Sequence, residues 1–141
     1  MRLRASVASG AAVLAAVAGV TTAAPASAST NPPPDQFLCR TPDAPVDGFY
    51  VHTCLTGDGG TTLRAYVYVY GGRTSINLCV KIVDFHQNPV PGSGNCKVVD
   101  SSGGEVWGYP ISLDRGVYYG VSDLTSPTYF YGGETPPGAV V

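Results

Sequence analysis

The stretch LRAYVYVYGGRTSINLCVKIV, residues 63–83, decides the fold. From Leu63 to Tyr70 apolar and polar-tipped side chains alternate strictly. A period of two puts Leu63, Ala65, Val67 and Val69 on one side of a strand and Arg64, Tyr66, Tyr68 and Tyr70 on the other. Gly71-Gly72 follows, a pair that tolerates positive φ and predicts a two-residue hairpin turn. The run from Arg73 to Val83 then predicts the returning strand. That turn pairs Tyr70 with Arg73, Tyr68 with Ser75, Tyr66 with Asn77 and Arg64 with Cys79. The other parity pairs Val67 with Ile76, Ala65 with Leu78 and Leu63 with Val80. One face is apolar and the other carries tyrosines beside polar groups, and a slip of one residue would mix them.

Working outward, Gly48 to Thr56 (GFYVHTCLT) predicts a third strand, with Leu55 opposite Leu63 and Val51 opposite Val67. The predicted core face is Phe49, Val51, Leu55, Leu63, Ala65, Val67, Val69, Ile76, Leu78, Val80 and Ile82, with Thr53 its one polar member. Each large apolar side chain buried there contributes about 1.5–3 kcal/mol. A second sheet has to cover it. The candidate strands are residues 96–100, 105–113, 116–122 and 128–131. Short strands broken by turn residues about every ten positions predict an all-β fold: a small disulfide-bonded antiparallel β-sandwich, immunoglobulin-like or similar, of about 6–8 strands. Residues 48–131 form the predicted domain. Residues 29–47 are Pro-rich and read as a linker, and residues 132–141 (GGETPPGAVV) as a flexible tail.

Residues 1–28 have the three parts of a secretory signal peptide. Arg2 and Arg4 supply the charge, Ala11 to Val20 (AAVLAAVAGV) the short apolar run, and Ala26-Ser27-Ala28 the cleavage site. The apolar run is too short to span a bilayer of about 30 Å, so no membrane span is expected. The Ala-rich style is that of bacterial leaders. The expected location is extracellular, where cysteines oxidise. Four cysteines then predict two bonds. With Cys54 and Cys79 two strands apart in one row, about 9–10 Å, that pair is out of reach. Cys39–Cys54 with Cys79–Cys96 is favoured.

The chain carries a formal charge of −2, and its leader holds two of the eight basic residues. An acidic mature chain disfavours nucleic acid or an anionic membrane as partner. No C-x-x-C pair or His ligand spacing predicts a metal, and no glycine motif predicts a phosphate cofactor. No G-x-S-x-G elbow occurs, and His52, His86, Asp84 and Asp100, which could be combined on paper with any of several serines, make a thin case for catalysis. The expectation is a non-enzymatic, cofactor-free, monomeric protein.

What remains is a surface. Tyr50, Tyr66, Tyr68 and Tyr70, with Arg73 and Asn77, are the candidate ligand-binding residues, because flat rings with polar tips beside hydrogen-bonding groups suit a polysaccharide or a partner protein. Trp107 is expected in the core. The alternative is an inhibitor of a secreted hydrolase. It would use the Pro-stiffened loop from Asp84 to Asn95, because rigidity lowers the ordering cost of binding.

Overall fold

A computed structural model describes residues 29–141 except Pro42, Asp47, Arg73 and Pro127. The secretory leader read over residues 1–28, and the candidate residue Arg73, lie outside the described residues. Twelve strands follow one another: β1 (Ser29–Thr30), β2 (Phe37–Cys39), β3 (Ala44–Val46), β4 (Phe49–Gly57), β5 (Thr62–Tyr70), β6 (Ile76–Asp84), β7 (Asn95–Val99), β8 (Gly104–Trp107), β9 (Ile111–Ser112), β10 (Gly116–Ser126), β11 (Thr128–Glu134) and β12 (Gly138–Val140). They form two sheets. One runs β1-β12-β10-β6-β7, with β11 also on β10. The other runs β2-β4-β5-β8, with β3 on β4 and β9 on β5. All pairs are antiparallel except β1 with β12. The fold is an all-β, disulfide-bonded sandwich with more strands than expected, several of them only two or three residues long.

The β5–β6 connection differs from the predicted hairpin. The two strands belong to opposite sheets, so the chain arches from one sheet to the other between Tyr70 and Ile76. Gly71 adopts φ +82°, and at Gly72 a Cβ would overlap the Phe49 ring that fills the arch. Alternation dictates which side chains face inward but not which strand lies alongside. Two strands facing each other across a core obey the same parity as two strands paired edge to edge. Every residue assigned to the apolar face is accordingly buried, from Phe49 through Ile82. The β4–β5 pairing is antiparallel as expected but shifted by two residues, with Val51 opposite Val69 and Leu55 opposite Ala65. A shift of two preserves the faces. Thr53 is fully buried, and its Oγ1 meets Ser122 Oγ of β10 at 2.7 Å, a hydrogen bond that joins the two sheets through the core.

The segments read as linker and tail carry strands. Leu38 of β2 packs against the core, and Cys39 sits opposite Cys54. Asn31 Nδ2 donates to the carbonyls of Gly60 and Thr62, pinning the proline run to the β4–β5 connection. At the other end, β12 lies between β1 and β10, and Val140 is buried. Strand β10 holds this edge together. Its first residues pair with β12, its later ones with β11, and its opposite side with β6 throughout.

Cys39–Cys54 ties β2 to β4, and Cys79–Cys96 ties β6 to β7, each at directly opposed positions with Cα atoms 4.0 and 4.1 Å apart. The expected pairing is present for a different reason: Cys54 and Cys79 belong to different sheets. Two disulfides are the mark of an oxidising compartment. Among the described residues no helix is long and apolar enough to cross a membrane.

Candidate functional site

The outward face of the β2-β4-β5-β8 sheet collects the aromatic side chains. Alternation along β5 sends Arg64, Tyr66, Tyr68 and Tyr70 outward, and β4 adds Tyr50 and His52. Strand pairing builds the rows: Tyr50 opposite Tyr70, His52–Tyr68–Glu105, and Cys39–Cys54–Tyr66–Trp107. Phe37 joins from β2. Its ring centroid is 6.2 Å from Tyr66 and 6.1 Å from Trp107, and Tyr66 and Trp107 are 4.3 Å apart. At the other end Tyr50, Tyr70 and Tyr68 form a near-parallel series with centroids 5.2 and 5.8 Å apart. Tyr50 is 49% exposed, and Tyr68 and Tyr70 are each 38% exposed. Rings of this size left half in water on a paired, interior strand offer apolar area that the core does not use.

Polar groups anchor this surface from its flanks. Asp43 stands just before β3, where it meets His52 Nδ1 at 2.5 Å and accepts from the Tyr70 hydroxyl at 2.8 Å. The His52 contact, above all, holds the Asp43 carboxyl below its usual value. The hydrogen bond to Asp43 in turn raises the Tyr70 phenol. The Tyr66 hydroxyl donates to Glu105 at 3.2 Å. Burial, reinforced by the Glu105 charge, pushes the Tyr66 phenol up to about 12. Arg64 Nε donates to the carbonyl of Gly108, and its guanidinium lies 4.6 Å over the Trp107 ring. Between these groups opens a cavity of about 330 Å³, with the Cys39–Cys54 disulfide for a floor and Phe37, His52, Tyr66 and Trp107 for walls.

The structure therefore unites four candidate residues, Tyr50, Tyr66, Tyr68 and Tyr70, and separates a fifth. Asn77 lies on β6 in the other sheet, opposite Thr125 and Val98, because the arch carries β6 away from the tyrosines. Trp107 corrects a second expectation: it is half-buried on the aromatic face, while its neighbour Val106 enters the core. Phe37, Asp43, Glu105 and Trp107 complete the surface. Alternation in Glu105-Val106-Trp107 already puts the outer two on one side, but nothing local says which sheet that strand joins.

Cys39, His52 and Cys54 bring three potential metal-ligand atoms within 4.8 Å of one another. Both sulfurs are spent on the disulfide and are not the thiolates a metal needs. Asp84 is also committed. Its carboxylate accepts from the backbone amides of His86 and Asn88 and from Asn88 Nδ2, which tightens the turn after β6. The loop at residues 84–95 is further clamped by Ser93, whose Oγ accepts from Ile82 N and donates to Val90 O. Phe85 stands at its tip, 66% exposed.

Fold and site together define a two-disulfide β-sandwich with an aromatic outer face. No family model and no curated protein matches the chain.

Proposed function

We propose that this is a secreted, non-catalytic binding protein whose ligand docks on the outer face of the β2-β4-β5-β8 sheet. One observation carries the reading: six aromatic rings, Phe37, Tyr50, Tyr66, Tyr68, Tyr70 and Trp107, share one outer sheet face that no other described strand covers, with carboxylates hydrogen-bonded between them. Rings bury apolar area at low entropic cost and their hydroxyls fix orientation. The leader pattern in residues 1–28 and the two disulfides support work outside the cell. A polysaccharide or an extracellular partner protein is the class of ligand this surface suits.

The test is the pair Tyr50→Ala and Tyr68→Ala made together. Both rings are outside the core, so the unfolding free energy is expected to stay within about 1 kcal/mol of the parent. Retention on insoluble polysaccharides, or on a glycan array, is expected to weaken at least tenfold, about 1.4 kcal/mol. Normal folding with unchanged retention would sink the reading.

A second reading rests on Phe85. An exposed ring on a turn braced by Asp84 and Ser93 is a preorganised anchor for a pocket in another protein, such as a secreted hydrolase. Loss of hydrolase inhibition in Phe85→Ala, with the tyrosine face intact, would favour it.

A further inference from the structure

We infer that the ligand of the aromatic face is a neutral, hydroxyl-rich polysaccharide chain lying along β5. This rests on the reading of that face as a binding surface and adds the chemistry of what binds there.

The hydrogen-bonding character of the face is lopsided. The Tyr70 hydroxyl donates its hydrogen bond to Asp43, and the Tyr66 hydroxyl donates its own to Glu105. Those phenol oxygens are left presenting lone pairs, and each carboxylate keeps acceptor sites beyond the ones in use. The complement is a ligand dense in O–H donors. Sugars have that composition, and the apolar C–H faces of their rings match aromatic side chains.

Charge narrows the class further. Among the described residues of this face the side chains able to carry a positive charge are Arg64 and His52, and both are engaged. Arg64 is held by Gly108 O and by the Trp107 ring, and His52 by Asp43. A uronate or sulfated chain would bring its charges beside Asp43 and Glu105 with no free cation among the described residues of the face to offset them. A neutral chain meets no such repulsion.

Shape points the same way. Tyr66, Tyr68 and Tyr70 recur at every second residue of β5, so their attachment points are about 6.7 Å apart along the strand, and the Tyr68 and Tyr70 ring centroids are 5.8 Å apart, spacings on the scale of one sugar unit. The cavity among Phe37, Tyr66 and Trp107 closes one end of this series and has room for a single sugar ring. A peptide would find no free backbone here. β5 is paired with β4 on one side and with β8 and β9 on the other, so strand addition is blocked and only side chains face out.

Isothermal titration of the intact protein tests this, with cello-, xylo- and chito-oligosaccharides against polygalacturonate and a Lys-rich peptide. Each is run at low and at physiological salt, with Tyr68→Ala, Tyr68→Phe and Glu105→Gln alongside and melts confirming that each variant folds. The expected result is binding of a neutral oligosaccharide whose affinity changes less than about twofold with salt. Tyr68→Ala is expected to weaken it at least tenfold, with Tyr68→Phe retaining most of the affinity. Polygalacturonate or the peptide binding in preference, with steep salt dependence and sensitivity to Tyr68→Ala, would overturn the neutral-glycan inference and leave the binding face standing. A neutral glycan bound equally well by folded Tyr68→Ala would overturn both. No binding by any neutral oligosaccharide would overturn this inference alone.

Discussion

Thr53 is the residue at which the alternating pattern breaks and the structure supplies the reason. A hydroxyl on the core face of β4 costs free energy unless it is satisfied, and Ser122 on the facing sheet satisfies it at 2.7 Å. Each hydroxyl alone would be a buried orphan. Thr53→Val is therefore expected to destabilise by about 1–3 kcal/mol, because Ser122 Oγ loses its partner. Adding Ser122→Ala is expected to cost less than the sum of the two single changes. Urea unfolding of the two single variants and the double closes the cycle, and additive losses would mean that the hydroxyls do not depend on one another. Gly72 shows the same dependence on a distant partner. Its missing side chain is the space occupied by the Phe49 ring, and nothing in Gly71-Gly72 as a dipeptide distinguishes that from a hairpin turn.

At the scale of elements, the chain ends matter more than their composition suggests. The first segment is Pro-rich and the last is rich in Gly and Pro, yet β1 and β12 pair with each other and β12 extends the sheet beyond β10. Val140 is buried, and a Cβ at Gly138 would press on Leu55 of the opposite sheet. Deleting residues 138–141 removes that burial, about 1.5–3 kcal/mol for Val140 alone, and strips β1 and part of β10 of their partners. A clear fall in melting temperature is expected, measured by circular dichroism. An unchanged melt would restore the picture of a loose tail.

For the whole molecule, the tyrosines make stability depend on alkaline pH. Tyr66, Tyr129 and Tyr131 each have a folded pKa of about 12, against an ordinary value of 10.0. The first cause is burial for Tyr66 and Tyr131, and the hydrogen bond to Asp123 for Tyr129. A raised pKa favours the folded chain while the phenol is protonated. This contribution is complete below pH 10 and is lost as pH rises toward 12. Unfolding midpoints in urea are expected to hold up to about pH 10 and then decline, alongside tyrosinate absorbance appearing later than in the unfolded chain. Carboxylates act in the opposite direction. Asp43, held low mainly by His52, stabilises the fold above the ordinary carboxyl value, and that support fades as pH falls through its lowered pKa.

Period-two alternation settled from sequence which side chains of β4, β5 and β6 point inward, because each strand's pleat depends only on its own backbone. It likewise places Tyr50, Tyr66, Tyr68 and Tyr70 together on the outward side. The expected disulfides are present, but Cys54 and Cys79, expected in one sheet, belong to two. Which strands lie side by side was decided by tertiary structure. Parity cannot tell a hairpin from an arch, so alternation groups Asn77 with the tyrosines, although the arch between Tyr70 and Ile76 removes it to the other sheet. The same non-local pairing brought Trp107 and Glu105 against Tyr66 and Tyr68, and Phe37 and Asp43 in from the Pro-rich segment. These contacts join residues up to about seventy positions apart, and their free energy comes from surfaces that meet only once both sheets have closed over a common core.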